Sequence, residues 1–329
     1  LIERFIALEC IKNRKANTML RVVFFGTPDF AVIPLKALAE DPRYEVVGVV
    51  TQPDRPVGRN RVLTPPPVKQ AALELGIPVL QPETLRDPEA FEALAAWNYD
   101  VGVVAAYGEI LRKNVLELPR LGYLNIHPSL LPLYRGPAPV NGAILAGDAE
   151  TGVSVMLLER KMDAGPLLAQ TRVALTGEER AGEFTIKMFE LGSKMLCDVL
   201  EPYAKGELEP TPQDDSLATF THMISKSDGV VDWQQSAAQI ERMTRAYDPW
   251  PGVVTTFRDQ PLKILAAKAH ADAKTQGVPG QLVEYGTGLA VVTGDGLLEL
   301  VTVQPAGKRA IAASEWRRGL REISGIVLG

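Results

Sequence analysis

The segment Leu124-Asn125-Ile126-His127-Pro128-Ser129-Leu130-Leu131-Pro132 puts an amide and an imidazole two residues apart at the end of an apolar run. Side chains two apart on an extended backbone point to the same side, so Asn125 and His127 project together. Prolines at 128, 132, 137 and 139 make the continuation, Leu133-Tyr134-Arg135-Gly136-Pro137-Ala138-Pro139, a stiff loop able to present backbone groups to a ligand. Both lie where the strand ends, so together they can face a ligand. The same spacing equally describes a strand end with a capping Asn and an incidental His. A carboxylate is the expected third member, to orient the imidazole and favour its charged form. Asp163 lies in Glu159-Arg160-Lys161-Met162-Asp163-Ala164-Gly165, and on its own it reads as a solvated turn.

The elements that must position these groups follow from hydrophobic patterning. Apolar runs at 21–25, 45–50, 101–105, 121–126 and 153–158 predict strands, with helical patterns at 30–39, 89–97, 139–146 and 181–200. This alternation predicts an α/β fold: a Rossmann-like, doubly wound, mostly parallel sheet covered on both faces. Asn125 and His127 then sit at the carboxyl end of a strand, the ligand side of such a sheet. Gly26-Thr27-Pro28 reads as a helix start, with Thr27 as N-cap and Pro28 at the first helical position. It lacks both G-x-G-x-x-G and a Gly-Lys-Ser/Thr ending, so neither a dinucleotide turn nor a P-loop is expected. Its place at a strand end makes Phe30 a candidate to line a substrate pocket.

Polar, proline-containing 209–225 marks a linker. Beyond it come a helix over 236–246 and five short strand candidates, at 253–257, 262–267, 280–284, 289–292 and 297–303. They predict a small OB-like β-barrel. The expected organisation is a non-native or disordered extension over 1–18, a catalytic domain over 19–208, the linker, and a barrel domain over 226–329.

Composition narrows the function classes. The chain has 329 residues, of which 46% are hydrophobic and 23% charged, which excludes global disorder. No apolar run approaches the ~20 residues needed to span a bilayer. Two cysteines (Cys10, Cys197) and three scattered histidines (His127, His222, His270) leave no disulfide framework and no expected metal site. The net charge of −5 argues against indiscriminate coating of nucleic acid, although the acidic excess lies before residue 226. The absence of an obvious secretion signal predicts a cytoplasmic protein.

Asn-x-His-Pro-Ser-Leu-Leu-Pro with its downstream Arg-Gly-x-x-Pro resembles the signature of the folate-dependent formyltransferases, in particular the branch that acts on methionyl-tRNA. So do Glu150-Thr151-Gly152-Val153-Ser154 leading into Asp163-Ala164-Gly165, and Ala246-Tyr247-Asp248-Pro249-Trp250-Pro251-Gly252. The resemblance runs from Met19 to near the C-terminus. It implies that Asn125, His127 and Asp163 are catalytic and that 10-formyltetrahydrofolate donates the formyl group to methionyl-initiator tRNA. It implies a folate-binding segment at Ser129, Leu130, Leu131 and Pro132, and a pterin-contacting loop that includes Glu109 and Ile110. Thr51 to Arg61 resembles a basic insertion loop that enters the tRNA acceptor end, with Arg55, Arg59 and Arg61 as its arginines. Lys263, Lys268, Lys308, Arg309, Arg317 and Arg318 of the barrel are expected to add phosphate contacts. The chemistry requires neither a metal nor a covalent enzyme intermediate, and a monomer is expected. The rival within the superfamily is a sugar-nucleotide formyltransferase, which is not expected to carry the insertion loop.

Overall fold

A computed structural model describes residues 19–58, 61–273 and 277–329. The expected extension over 1–18 lies outside the described residues.

The chain runs β1 (Leu20–Gly26), α1 (Val32–Glu40), β2 (Tyr44–Val50), β3 (Arg55–Val57), β4 (Val62–Thr64), α2 (Pro67–Glu74), β5 (Val79–Leu80), α3 (Pro88–Ala95), β6 (Val101–Ala105), α4 (Lys113–Leu116) and β7 (Tyr123–His127). It continues through α5 (Pro139–Ala146), β8 (Glu150–Leu157), β9 (Leu167–Ala174) and α6 (Ala181–Lys205). The third stretch holds α7 (Ala237–Ala246), β10 (Val253–Phe257), β11 (Gln260–His270), β12 (Leu282–Tyr285), β13 (Gly288–Val292), β14 (Leu297–Pro305), β15 (Ile311–Ala312) and α8 (Ala313–Arg318).

Seven strands form one sheet in the order β5-β2-β1-β6-β7-β8-β9. β5, β2, β1, β6 and β7 pair in parallel, and β8 turns antiparallel against β7. β6 is buried at every residue, which is why its run is apolar without alternation. The two faces carry separate cores. Leu124 and Ile126 pack with Val22, Phe24, Phe189 and Leu196 on one, while Tyr123 packs with Val23, Phe25 and Tyr107 on the other. Gly102, opposite Tyr123, makes room for that ring, since a Cβ there would lie 2.1 Å from it. Leu124 is fully buried, so truncating it to alanine costs about 2–5 kcal/mol.

The start of α1 differs from expectation. Thr27 caps nothing: its hydroxyl donates to the Tyr107 carbonyl at 2.8 Å, and the chain makes a short 3₁₀ turn over Asp29–Ala31 first. A partner eighty residues away outcompetes the local cap.

The chain forms two compact units. The first takes in the chain up to His127, Val153–Gln170 and Phe189–Asp215; the second takes in Pro128–Gly152, Thr171–Met188 and Ser216–Gly329. In the second, the five expected strands appear as an antiparallel sheet, β10-β11-β14-β13-β12, with β15 on β14. The last residues join its edges: Leu282 N–H donates to Ile326, Leu328 N–H to Gly280, and Gly329 N–H to Thr256. That segment closes the sheet into a small barrel. α7 starts on Ser236, whose side chain accepts from Gln239 N, and turns Ala237, Ile240 and Met243 into the barrel core with Trp233 and Trp316.

Candidate active site

Asn125 and His127 occupy the carboxyl end of β7 on the Tyr123 face, and they are 9% and 4% exposed. β8 sets Met156 opposite Asn125 and Ser154 opposite His127. Opposed residues share a face, so Ser154 stands beside the imidazole, and Gln170 Nε2 donates to its Oγ at 2.9 Å. Asp163 arrives from the loop after β8, with Oδ2 at 3.8 Å from His127 Nδ1. Both side chains are largely shielded from water, so the electrostatic interaction between them acts at low dielectric. The separation exceeds a hydrogen bond. Nδ1 is the imidazole nitrogen turned to the carboxylate.

The loop that delivers Asp163 is tightly specified. Asp163 itself has a left-handed backbone, φ 48°. Gly165 cannot be replaced without a backbone shift, because a Cβ would lie 1.9 Å from the Leu157 carbonyl oxygen. Leu157 N–H donates to the Pro166 carbonyl, and Gln213 Nε2 donates to the carbonyls of Asp163 and Gly165 at 2.9 and 2.6 Å. Gln213 falls in the stretch that composition marks as a linker, and no local signal distinguishes it.

The neighbouring strand ends are tied together. Thr27 Oγ1, donor to Tyr107, also accepts from Gln52 N at 3.4 Å, which joins the ends of β1, β2 and β6. After β6 the chain turns through Ala106 and Gly108, with φ of 50° and 94°. The Glu109 carboxylate accepts from Thr84 Oγ1 at 2.8 Å and from the Tyr107 hydroxyl at 3.5 Å. Burial, reinforced by that carboxylate, pushes the Tyr107 hydroxyl far above the usual tyrosine range, so it stays a neutral donor. Ile110 is exposed. Phe30 stacks on Phe189 with ring centroids 4.7 Å apart, on the Leu124 and Ile126 side of the sheet.

Ser129, Leu130, Leu131 and Pro132 belong to the second unit. Ser129 and Leu131 are buried, Leu130 and Pro132 half-buried, and Ser129 Oγ donates to the Leu133 carbonyl at 2.6 Å. The loop that follows is laced to 219–221: Arg135 N–H donates to Thr219 O, Thr221 N–H to Arg135 O, and Ala138 N–H to Thr221 Oγ1. Arg135 is fully buried there.

The segment expected as an insertion loop is a two-stranded ribbon of β3 and β4. Arg55 and Arg61 are exposed on it, and Arg55 reaches Glu83 at 3.3 Å; Arg59 lies outside the described residues. The foot of the ribbon is braced. Lys69 Nζ donates to both Asp54 oxygens, at 2.8 and 2.9 Å, and Gln81 Nε2 adds a bond to Asp54 and one to Gln52 O. These bonds hold the Asp54 carboxyl below its usual range. On the barrel, Lys263 and Lys268 are exposed, while Arg309 and Arg317 pair with Glu315 and Glu284. Among the described residues no group of three or more His, Cys, Asp or Glu is placed to hold a metal, and no helix is long and apolar enough to cross a membrane.

Residues 20–200 match the family model described as formyl transferase, and 223–321 match that of its C-terminal domain. The chain belongs to the formyl transferase family. A methionyl-tRNA formyltransferase of Roseiflexus castenholzii is 61% identical over 94% of this chain and 99% of its own length. Among solved structures, an N-formyltransferase from Helicobacter canadensis, in complex with folinic acid and dTDP-3-aminofucose, superposes with a TM-score of 0.64 at 14% identity, over 86% of this chain and 99% of its own. HypX from Aquifex aeolicus, in complex with tetrahydrofolic acid, gives 0.57 at 17% identity, over 94% of this chain and 48% of its own. At those identities the structures share the fold. A folate-derived formyl donor fits both the family and the strand-end site.

Proposed function

We propose that the chain transfers the formyl group of 10-formyltetrahydrofolate to the α-amino group of methionyl-initiator tRNA. The observation that carries this reading is 61% identity, along nearly the whole chain, with an enzyme named for that reaction. The donor supplies an acyl carbon; as the neutral methionine amine adds to that carbon, its oxygen gains negative charge, and collapse of the adduct breaks the formyl C–N10 bond, N10 of the tetrahydrofolate leaving with a proton in place of the one the amine loses. Asn125 donates an amide N–H to that oxygen, and His127 donates from Nε2. Donors fixed in advance lower the barrier because they need no reorganisation as the charge appears. Asp163 holds the imidazole through Nδ1 and accepts, through a water, the proton the amine sheds.

Ser129, Leu130, Leu131 and Pro132 form a stiff wall for the folate, and the loop carrying Glu109 and Ile110 meets the pterin through backbone groups. The Glu109 carboxylate, engaged by Thr84 and Tyr107, supports a backbone role for that loop. Phe30 lines the methionine side. Arg55, Arg59 and Arg61 on the braced ribbon engage the acceptor end. The enzyme works as a cytoplasmic monomer, with its catalytic part over 19–208 and its tRNA-binding barrel over 226–329.

Incubation with 10-formyltetrahydrofolate and initiator Met-tRNA, elongator Met-tRNA or a dTDP-amino sugar tests the reading. Formylation of initiator Met-tRNA well above the other two is expected. Preference for the sugar would establish the rival acceptor, and no transfer to any of them would end the enzymatic reading.

A further inference from the structure

Three residues between Thr211 and Asp215 hold the loop that carries Asp163 and the start of the strand after it. Thr211 and Leu167 exchange two backbone hydrogen bonds, at 2.7 and 2.8 Å. Two residues on, Gln213 Nε2 donates to the Asp163 and Gly165 carbonyls at 2.9 and 2.6 Å. Two further on, Asp215 pairs with Lys161.

The middle grip has the chemistry that matters most. A primary amide nitrogen carries two hydrogens, and here two carbonyls two residues apart receive them. The residue they restrain has φ of 48°, a conformation a side chain-bearing residue keeps only when its surroundings over-determine it. We propose that Gln213 is a positioning residue whose side-chain amide pins the Asp163 and Gly165 carbonyls and so fixes the Asp163 carboxylate against His127 Nδ1. The proposal rests on the reading of Asp163 as part of the catalytic set.

The test uses the full chain and three substitutions. Gln213→Met matches the length without donors, Gln213→Glu matches the shape with acceptors only, and Gln213→Lys restores a donor. Steady-state formylation is measured for each, alone and combined with Asp163→Asn. Gln213→Met and Gln213→Glu are expected to lower kcat about tenfold or more, with KM for both substrates within about twofold of the parent. Gln213→Lys is expected to recover most of that loss. On an Asp163→Asn background, Gln213→Met is expected to change kcat less than about twofold, since a residue acting through Asp163 has nothing left to position.

Parental kcat in the Met and Glu variants overturns the proposal. So does an undiminished loss on the Asp163→Asn background, or an effect on KM alone. If the Met variant fails to fold, the Glu variant decides by the same criteria; if neither folds, Gln213 is a structural residue and the proposal fails. Parental turnover by Asp163→Asn itself would instead remove Asp163 from the catalytic set, which separates the two readings.

Discussion

At the scale of single residues, the proposed mechanism asks for donors placed where charge appears. Asn125 and His127 gain their common direction from strand alternation, and both are shielded enough for their dipoles to act at low dielectric. Asn125→Ala, His127→Ala and Asp163→Ala should therefore each slow formyl transfer far more than they weaken folate binding. The loss of one such donor typically costs about 10²–10³ in kcat, measurable by single-turnover formylation beside equilibrium folate titration. Near-parental turnover in any one variant removes that residue from the mechanism. A second residue-scale effect concerns acid stability. Asp228 closes a capping box with Ser225 and also faces His222, and these bonds lower its carboxyl to about 2. A depressed carboxyl contributes stability above its unfolded value of 3.8 and loses it as pH falls toward 2. Asp228→Asn should lower the urea midpoint at pH 6, and the gap to the parent should close as pH drops from 4 to about 2. A gap independent of pH would assign the effect to something other than the charge.

At the scale of elements, the proposal gives the ribbon the task of telling an acceptor as large as tRNA from a small one. Its foot is fixed by Lys69, Asp54 and Gln81, while Arg55 and Arg61 stand exposed on it. Replacing Arg55, Arg59 and Arg61 with alanine should raise KM for Met-tRNA and leave folate binding unchanged. For every arginine that had neutralised a phosphate, the log–log salt slope of tRNA binding should become shallower by about 0.7–0.9. A loss of initiator-over-elongator preference at constant slope would instead indicate that the arginines meet unpaired bases, and parental rates with parental slope would make the ribbon a solvated hairpin. Elements with strong local signals were legible directly: 101–105 and 139–146 coincide with β6 and α5, because an uninterrupted apolar run and a proline-led helix start are local signals. β9 was not, since it mixes Gln170, Thr171 and Arg172 with half-buried aliphatics at the sheet edge. Pro56 hid β3, and the Pro65-Pro66-Pro67 run hid the start of α2. Spacing marked Asn125 and His127 as candidates without separating a site from a capped strand end, and Asp163 was marked only through resemblance. Gln213 could not be found at all, because its partners lie 48 and 50 residues away.

At the scale of the whole molecule, β1 begins at Leu20 and completes its pairing with β2 and β6 among residues after Met19. Deleting 1–18 should leave melting temperature and turnover unchanged; a fall of several degrees, or a large loss of rate, would show that the extension packs on the domain. The barrel has its own core and its own closure through 326–329, independent of the parallel sheet's two apolar faces.

The grip of Gln213 also orders events in time. The Asp163 loop leaves the ribosome with its strands, but the amide that donates to the Asp163 carbonyl oxygen is translated 50 residues later. The parallel sheet through β7 has by then emerged in full and can collapse around its apolar faces, as N-terminal parts of a chain do during synthesis. The carboxylate beside His127 is therefore among the last parts of the first unit to be set. A nascent chain acquires its scaffold early and its chemistry late.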